Sequence, residues 1–449
     1  MSISEAIFRA YDVRGKFPEE LNAQAVYAIG KAFLKVNPAK VVVVGHDHRQ
    51  AVPQLKQALL SALTAQGVKV YDIGQVTTDM TYFSSWNYPE VEGAIMITAS
   101  HLPGEYNGLK FVTKQYGPIG KGQGMEELQE FALQADIPQN FEIDNTLVEE
   151  KNVAQDYKDF VLSFVDLQNF KPLKIVADPG NGVGGPIVKD LLNNLPLDLT
   201  ELYFEPNNDF PNHVADPFIP ENRKDLEQMV IEKQADMGIA WDADADRAAF
   251  IDELGRYING DFVSALLMKH FHSKQKNAEF VYDVRSVKVI ENTLKQIDAQ
   301  GHLGKVGHSY LKQKMRETGA VFGGETSGHF YFAKNQFMDN GMIPALLMLE
   351  LVAKADKPLS KIIADLGEFY VSGEINSKVV DTKLVLDKLK NKFSDADINE
   401  LDGISIAKDD WRFNVRASNT EPLLRLNAEA ITQESLDKIT NEVLQIIRG

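Results

Sequence analysis

The 449-residue chain contains no cysteine, so neither disulfide bonds nor thiol chemistry can contribute to its structure or function. No stretch approaches the roughly 18 to 20 consecutive apolar residues that a membrane-spanning helix needs, so no membrane partner is expected. The first residues, Met1–Glu5, lack a basic segment followed by an apolar one. We therefore expect no export signal and a cytoplasmic location.

Positive charge is also scarce: 47 lysines and arginines stand against 64 aspartates and glutamates, a formal net charge of −17. This balance disfavours a nucleic-acid or anionic-membrane surface, although a local basic pocket could still bind phosphate. The hydrophobic fraction of 44% and charged fraction of 25% are ordinary for a globular protein. The composition thus favours a soluble enzyme.

Short apolar runs alternate with amphipathic segments of helical length, the pattern of βα units around a parallel sheet. Val41–Val44, Val68–Ile73 and Ala94–Thr98 are predicted strands, and Val52–Ala65 has the apolar spacing of a helix. A second region of this kind begins near Leu173. Its strand Lys174–Ala177 is followed by a turn and by a helix at Pro186–Leu192, and a third region begins near Phe262 with a strand at Glu279–Asp283.

The C-terminal part differs, because its predicted helices are separated by several strands, which is an α+β order. The helices are Lys378–Lys392 and Gln433–Ile447, and the strands are Gly403–Ala407, Trp411–Val415 and Leu423–Ala428. We expect α/β domains at residues 1–150, 151–250 and 251–367, and an α+β domain at 368–449.

The segment Trp241–Arg247 places three aspartates, Asp242, Asp244 and Asp246, at alternate positions. If the backbone is extended, the three carboxylates point the same way, and their repulsion suggests a bound cation. Carboxylates without nearby His or Cys suit Mg²⁺ rather than Zn²⁺. An EF-hand calcium loop would place Glu253 at its twelfth position, but Arg247 occupies the sixth, where Gly is needed. A solvated acidic turn remains a further alternative.

Ser100 follows a predicted strand, the usual location for a functional group on an open α/β sheet. His101 is adjacent and Lys110 follows nearby, and a serine nucleophile needs such a base or electrostatic partner. An ordinary helix cap is the alternative interpretation. Asp47 and Arg49, after the first predicted strand, are more typical of a structural ion pair than of a catalytic one.

Three further polar segments contain groups that recognise phosphate or sugar. The turn Arg416–Pro422 combines a guanidinium with small polar side chains and could bind phosphate, or could be a solvated turn. The turn Gly324–His329 carries a carboxylate suited to adjacent sugar hydroxyls, or is simply a hairpin turn. Near the start of the chain, Tyr11–Gly15 places Arg14 in a predicted turn.

Taken in order, these segments resemble those of the α-D-phosphohexomutases, most closely the bacterial phosphomannomutase/phosphoglucomutase branch. The resemblance covers nearly the whole chain. The matching segments are Phe8–Gly15 (phosphate contact), Thr98–Lys110 (phosphoserine loop), Asp242–Arg247 (metal loop), Gly307–Ser309 (substrate contact), Gly324–His329 (sugar loop) and Arg416–Thr420 (phosphate loop).

The resemblance implies three α/β domains with mixed sheets and a mobile C-terminal α+β domain, in a heart shape around a central cleft. It implies that Ser100 carries a phosphoryl group and, with Asp242, Asp244 and Asp246, binds Mg²⁺. The implied reaction interconverts hexose 1- and 6-phosphates of mannose, glucose or both through a hexose 1,6-bisphosphate, which also serves as activator. A monomer is expected, with a dimer as the alternative.

The same resemblance assigns roles to individual residues. Arg247 offsets charge, and the proton-transfer candidates are Arg14, His101, Lys110, His308 and His329. Substrate binding falls to Tyr11, Arg14, Arg285, His308, Glu325, Ser327, His329, Arg416, Ser418, Asn419 and Thr420. Alternative functions are a phosphoglucosamine mutase, a metal-dependent sugar phosphatase, and a metal-binding protein without turnover.

Four residues depart from the family pattern. Leu102 stands where Asn is more usual, Ala243 replaces a common Gly, and Asn340 stands where a second Asp is frequent. Thr326 stands where this branch usually has Met, so the sugar preference stays open.

Overall fold

The computed structural model describes residues 3–417 and 423–449. The chain divides into two compact units, the first comprising Met1–Tyr257 with Met338–Asp356 and the second Ile258–Phe337 with Lys357–Gly449. The fold is α/β with four domains, as predicted, and parallel and antiparallel pairings mix in the first three sheets. Within the described ranges, no helix is both long enough and apolar enough to cross a membrane.

The first sheet of the first unit has the strand order β1-β5-β4-β2-β3-β7, with β6 paired to β5. Strands β2, β3 and β4 run parallel, whereas β5 is antiparallel to both β4 and β1. The strands are β1 (Val13–Lys16), β2 (Val41–His46), β3 (Lys69–Gln75), β4 (Gly93–Ile97), β5 (Tyr106–Thr113), β6 (Gly117–Pro118) and β7 (Val148–Glu150). The helices are α1 (Ala23–Val36), α2 (Val52–Thr64), α3 (Thr78–Asn87) and α4 (Met125–Leu133).

The second sheet has the order β12-β11-β10-β8-β9, in which β8, β9 and β10 are parallel and β11 is antiparallel to β10. Its strands are β8 (Leu173–Asp178), β9 (Leu197–Glu201), β10 (Met237–Trp241), β11 (Ala248–Asp252) and β12 (Tyr257–Ile258). The associated helices are α5 (Ala154–Leu162), α6 (Gly185–Leu192) and α7 (Lys224–Lys233).

In the second unit, strands follow the order β14-β13-β15-β16, with the first three parallel and β16 antiparallel. The elements here are β13 (Glu279–Asp283), β14 (Gln300–Gly304), β15 (Phe322–Gly324), β16 (Phe330–Phe332), α8 (Gly260–Lys274), α9 (Lys288–Ile297) and α10 (His308–Thr318). The next two, β17 (Met338–Asp339) and α11 (Met342–Lys354), belong to the first unit, and α12 (Leu359–Ala364) returns to the second.

The fourth sheet is wholly antiparallel, in the order β18-β22-β21-β20-β19. It comprises β18 (Tyr370–Lys378), β19 (Asp397–Asn399), β20 (Ile404–Ala407), β21 (Trp411–Ala417) and β22 (Leu423–Ala430), with helices α13 (Thr382–Lys392) and α14 (Gln433–Arg448). The prediction of a helix from Lys378 is wrong at its start. Lys378 ends β18, and Asp381 caps α13 by accepting a hydrogen bond from the Leu384 amide at 2.9 Å.

Two strand ends position the main polar segments of the first unit. Strand β4 is fully buried and ends at Ile97, so residues 98–101 emerge at its carboxyl end. Strand β10 is equally buried and ends at Trp241, so the aspartate segment emerges at the carboxyl end of a parallel strand in the second sheet. Both locations are the ones that α/β sheets use for ligands. The domain boundaries near residues 150, 250 and 367 stay predictions, and β12 carries the second sheet on to Ile258.

Candidate active site

The three aspartates lie in the turn that connects β10 to β11 (the aspartate turn, Asp242–Arg247). Ala245 has a φ of +58°, and its amide donates to the Asp242 carbonyl at 2.9 Å. The expectation of an extended backbone is therefore wrong: a tight turn, not a pleat, brings the carboxylates together. Their oxygens lie within 4.8 Å of one another.

Cationic and hydroxyl groups of the first domain reach this turn. Lys110 on β5 places its Nζ 2.7 Å from Asp244 Oδ2 and 2.5 Å from Asp246 Oδ2. Thr78, the first residue of α3, donates its hydroxyl to Asp244 Oδ2 at 2.6 Å and its amide to the Asp244 carbonyl at 3.0 Å. Sequence analysis missed Thr78, because nothing local links it to a residue 166 positions away.

Burial and mutual repulsion shift the titration of the aspartates. Burial, with the neighbouring carboxylates, raises the pKa of Asp242 well above its ordinary value and that of Asp246 to about 6. Burial alone would also raise the pKa of Asp244, but the Lys110 ammonium and the hydrogen bonds from Lys110 and Thr78 outweigh it and lower that pKa. A positive charge in addition to those of Lys110 and Arg247 would relieve the repulsion that remains.

The residues of the turn fit a hard divalent cation. All three aspartates are at most 2% exposed, which argues against a solvated acidic turn. Strands, not helices, flank the turn, so an EF-hand is also excluded. Asp244 Oδ1 is buried and has no hydrogen-bond partner among the described residues. A buried, unpaired carboxylate oxygen is costly unless a cation or donor binds it.

Ser100 lies against the aspartate turn. Its Oγ is 3.3 Å from Asp242 Oδ2 and 3.2 Å from His101 Nδ1, and the residue is 3% exposed. Its φ of +52° is unusual for a residue with a side chain, and its amide donates to Thr98 Oγ1 at 2.9 Å. No helix begins here, since β5 is the next element, so the helix-cap interpretation is wrong.

Arg247 links the aspartate turn to His101, the residue next to Ser100. It donates through its amide (3.1 Å) and Nε (2.8 Å) to Asp242, and its Nη2 lies 2.7 Å from His101 Nδ1. Burial lowers the pKa of His101 well below its usual value, and Arg247 and Arg14 lower it further. The His101 ring is therefore neutral near pH 7, and Nδ1 can accept the hydrogen bond from Arg247.

Arg14 lies in strand β1, not in the predicted turn. Its register partner across β5 is Gly108, where a Cβ would come within 2.4 Å of the Val13 carbonyl oxygen, so only glycine allows this pairing. The Arg14 guanidinium pairs with Asp12 at 2.6 Å. Burial lowers the pKa of Arg14, but Asp12, Asp244 and Asp246 more than compensate, so its charge is secure. The neighbouring Tyr11 is half-buried.

In the second unit, Glu325 follows β15 in a hairpin that returns as β16, so the hairpin interpretation was sound and does not exclude a binding role. Glu325 Oε2 accepts from Arg285 at 2.9 Å and from the Ser327 hydroxyl at 3.0 Å, and Oε1 accepts from the Tyr331 hydroxyl. Ser327 Oγ also lies 3.3 Å from His329 Nδ1. Burial raises the pKa of Glu325, against the lowering effect of Arg285.

Two buried aspartates that sequence analysis missed hold this hairpin. Asp283 binds Arg285 through both carboxylate oxygens, at 3.0 Å and 2.6 Å, and accepts from the Thr326 amide at 3.3 Å. Asp261, at the start of α8, accepts from the Thr326 hydroxyl at 2.8 Å. Thr326, the residue that departs from the family pattern, thus directs its hydroxyl to protein.

Arg416 lies in strand β21 rather than in the predicted turn. Its Nη2 donates to Glu374 on β18 at 3.0 Å, while its buried Nε has no partner among the described residues. The predicted contacts Ser418, Asn419 and Thr420 lie outside the described residues. His308 is the first residue of α10, after Gly307 at φ +126°.

Comparison with known proteins gives one consistent result. Models of phosphoglucomutase/phosphomannomutase match residues 5–136 (domain I), 155–255 (domain II), 259–370 (domain III) and 374–446 (C-terminal domain). A protein named "Phosphohexose mutases" from Xanthomonas campestris pv. campestris is 39% identical over 98% of this chain and 99% of its own. A phosphomannomutase from Escherichia coli K12 is 38% identical over 94% of each chain. A crystal structure of a phosphoglucomutase/phosphomannomutase family protein from Burkholderia thailandensis is 31% identical, covers 99% of this chain and 98% of its own, and has a TM-score of 0.89.

Proposed function

Because the chain belongs to the phosphoglucomutase/phosphomannomutase family, we propose that it interconverts the 1- and 6-phosphates of mannose and glucose through a phosphoserine at Ser100. One observation carries the proposal: the Ser100 hydroxyl lies 3.3 Å from a carboxylate of a buried aspartate cluster. A serine in that position can carry a phosphoryl group next to a cation site.

The proposed reaction has two phosphoryl transfers. In the first, the P–O bond to Ser100 Oγ breaks and a P–O bond to the free hydroxyl of a hexose monophosphate forms. The sugar hydroxyl loses its proton and Ser100 Oγ takes one up, and the second transfer reverses this exchange. The hexose 1,6-bisphosphate then reorients in the site. Its other phosphoryl group is transferred to Ser100 Oγ, and the isomeric monophosphate is released. Phosphate is neither gained nor lost over the cycle, and the bisphosphate added from outside would recharge an unphosphorylated Ser100.

Asp242, Asp244 and Asp246 would hold Mg²⁺ together with an oxygen at Ser100, which agrees with the unpaired Asp244 Oδ1. When bound, the ion supplies charge stabilisation to the oxygens of the transferring phosphoryl group. Arg247 adds fixed positive charge beside Asp242 and donates to His101 Nδ1, which holds that neutral ring beside Ser100.

Lys110 is our candidate for the proton carrier at Ser100. Two of its three N–H donors bind Asp244 and Asp246, which fixes its ammonium on the turn that Ser100 also contacts, and the third has no partner among the described residues. His101 is less suited, because the nitrogen facing Ser100 already accepts from Arg247. Arg14, His308 and His329 remain candidates from the resemblance.

For the second unit, we propose that Glu325 and Ser327 hold sugar hydroxyls. A carboxylate has about four acceptor positions, and donors among the described residues occupy three of those on Glu325, which leaves one that a sugar hydroxyl can use. Arg285 fixes the carboxylate. Tyr11, Arg14, His308, His329, Arg416, Ser418, Asn419 and Thr420 are proposed substrate contacts, with Arg416–Thr420 binding the phosphate that is not reacting. We further propose a cytoplasmic monomer.

The test is a parallel assay of isomer formation and phosphate release from mannose 1-phosphate, glucose 1-phosphate and glucosamine 1-phosphate. We expect isomers of the first two with little free phosphate. Phosphate as the main product would identify a phosphatase, dominant turnover of the glucosamine compound a phosphoglucosamine mutase, and no turnover would reject an enzyme. Intact mass should show a fraction of molecules heavier by ~80 Da, lost in Ser100→Ala together with most activity.

A further inference from the structure

Arg49, in the loop between β2 and α2, lies behind the Ser100 loop. Its side chain is fully buried, at 0% exposure, and forms the predicted ion pair with Asp47, from Nε to Oδ2 at 3.0 Å. An arginine has five N–H donors, and only one is used in this pair. The other four explain why so large a side chain is buried here.

Those four donors bind four backbone carbonyls of one loop, residues 100–106 (the Ser100 loop). Nη2 donates to the carbonyl of Ser100 itself at 2.7 Å and of Leu102 at 2.6 Å. Nη1 donates to the carbonyls of Pro103 at 2.7 Å and Tyr106 at 2.9 Å. All five N–H groups of the guanidinium thus have a hydrogen-bond acceptor. A planar group with donors on three nitrogens is needed to reach all of these acceptors at once.

The contacts have a consequence for the reacting serine. Ser100 has a left-handed backbone, which is unfavourable for a residue with a Cβ and persists only when neighbouring groups hold it. Because Arg49 binds the Ser100 carbonyl, it fixes that conformation while Oγ contacts Asp242 on the aspartate turn. The four carbonyl oxygens are also committed to Arg49, so their partial negative charge is neutralised by a cation.

Arg49 is itself anchored. The Asp47 amide donates to the Ile97 carbonyl at the end of β4, at 3.0 Å, and Asp47 Oδ1 accepts from the Arg49 amide at 3.0 Å. The guanidinium lies 5.9 Å from the ring of Phe210, which packs with Ala243 of the aspartate turn. One side chain therefore contacts the Ser100 loop directly and the aspartate turn through a single intervening ring.

We propose that Arg49 is a positioning residue for phosphoryl transfer: it holds the Ser100 loop in the one conformation that presents Oγ to the aspartate turn. This inference rests on the proposed function, since it assumes that Ser100 is the phosphoryl carrier. Arg49 touches neither substrate nor the reacting atoms, so its loss should lower kcat with little change in KM.

The test is Arg49→Lys, which keeps the charge but offers three donors on one nitrogen. We expect kcat, per folded molecule, to fall about a hundredfold, with KM within about threefold, because an error of about 1 Å at the reacting atoms has that effect. Amide hydrogen exchange should quicken in residues 98–106. The matched control is Arg256→Lys, since Arg256 also binds an aspartate, Asp252, through Nε and Nη2 but contacts no part of the Ser100 loop in the described structure.

The outcomes separate the two hypotheses. If wild type and Arg256→Lys form no isomer, the proposed function fails. Amide hydrogen exchange in residues 98–106 then still tests whether Arg49 holds the Ser100 loop. If both turn over and Arg49→Lys keeps its kcat per folded molecule, a purely structural Arg49 is shown and the positioning role is overturned. Should Arg49→Lys not fold, Asp47→Asn decides, because it removes the charged anchor at Nε. We expect about a tenfold lower kcat there, and an unchanged kcat would refute the proposal.

Discussion

The aspartate turn of the first unit and the Glu325 hairpin of the second both bury carboxylates just after a strand, but different donors satisfy them. Lys110 and Arg247 supply most of the hydrogen bonds at the aspartate turn, and Asp244 Oδ1 still lacks a partner among the described residues. Hydroxyls of Ser327 and Tyr331 supply much of the bonding to Glu325.

The difference indicates what each carboxylate group can bind. Carboxylates that repel one another and retain an unpaired oxygen favour a further positive charge, so the aspartate turn suits a cation. A carboxylate surrounded by hydroxyl donors and one guanidinium, with one acceptor position left, suits a further neutral hydroxyl. The same functional group is therefore suited to metal binding in one unit and, in our proposal, to sugar binding in the other, according to its neighbours.

The largest expected effect comes from Asp244→Asn, which removes one anionic group of the proposed metal site and one of the two aspartates that bind Lys110. We expect phosphoryl transfer to slow by about a thousandfold, and the Mg²⁺ concentration needed for half-maximal rate to rise, because both charge stabilisation and ion affinity fall. Steady-state rates over a Mg²⁺ titration measure both effects. EDTA should abolish the wild-type rate, and Mg²⁺ should restore it better than Ca²⁺.

Asp252→Asn is the control for that variant, since Asp252 is likewise buried, at 3% exposure, ends β11, and among the described residues binds only its own turn and Arg256. Its Mg²⁺ dependence should match that of wild type. A chelator-insensitive rate, or equal loss in the two variants, would show that the aspartate turn is not a catalytic metal site.

A smaller effect is expected from Glu325→Gln, which preserves shape but replaces one acceptor oxygen with an NH₂ donor. We expect kcat/KM to fall about a hundredfold, which corresponds to a loss of ~2.7 kcal/mol in transition-state stabilisation, because a hydroxyl contact is lost and Arg285 loses a charged partner. The Mg²⁺ dependence should not change. Glu291→Gln provides the control: Glu291, on α9, also accepts from a tyrosine, Tyr282, at 3.4 Å, but has no hydrogen bond to the hairpin among the described residues.

Sequence reasoning identified the local elements and the strand-end segments because both depend on short-range patterns. Val41–Val44 became β2 and Glu279–Asp283 became β13, since buried parallel strands are continuous apolar runs. The aspartates and Ser100 were recognisable because they directly follow such runs, at the carboxyl ends of strands where α/β sheets bind ligands.

Residues that act through distant partners could not be predicted. Thr78, Asp283 and Asp261 carry no local signal, and Arg49 looked like an ordinary ion-pair partner until the fold placed four carbonyls around it. Arg14 was assigned to a turn because the edge strand β1, with four residues, is too short to show alternation. Arg416 was assigned to a turn because the predicted strand Trp411–Val415 ended one residue before it, whereas β21 continues to Ala417. Such contacts depend on which strand ends meet, which local patterns do not encode.

Asp79 is a buried carboxylate that binds no cation among the described residues, so its pKa can be compared with that of Asp244, which binds Lys110. Asp79 is fully buried and accepts from the hydroxyls of Thr77 and Tyr157, and burial raises its pKa to about 7. The folded state therefore binds a proton that the unfolded state releases near pH 4, so stability should fall as pH rises from about 4 to 7. In Asp79→Asn, which cannot ionise, this loss should be absent.

Thermal unfolding midpoints from pH 5 to pH 8 test this expectation. The wild-type midpoint should fall by several degrees relative to that of Asp79→Asn across this range. Parallel curves for the two proteins would mean that Asp79 keeps an ordinary pKa, and that hydroxyl donors alone can compensate a buried carboxylate as well as Lys110 does.

The smallest expected effect is the discrimination between C2 epimers. In the proposed reaction, the bisphosphate presents first one phosphate and then the other to Ser100, so the same protein groups must serve two orientations of the sugar. The O3 and O4 hydroxyls exchange positions when the sugar changes from one orientation to the other, whereas the counterpart of the C2 hydroxyl is the ring carbon C5. A Glu325 carboxylate with one free acceptor position gains little by binding O2. We therefore expect kcat/KM for mannose and glucose 1-phosphates to agree within about tenfold, or ~1.4 kcal/mol.

Galactose 1-phosphate, inverted at C4, tests whether the Glu325 hairpin recognises the O3 and O4 hydroxyls. It should react far more slowly, because it removes a contact that both orientations share and leaves a buried acceptor on Glu325 unpaired. In Glu325→Gln, the difference between glucose and galactose compounds should shrink, since the contact that discriminates them is already weakened. Rates for the three sugars with both proteins measure this. A preference above a hundredfold between mannose and glucose, or good turnover of the galactose compound, would place sugar recognition on groups other than the Glu325 hairpin.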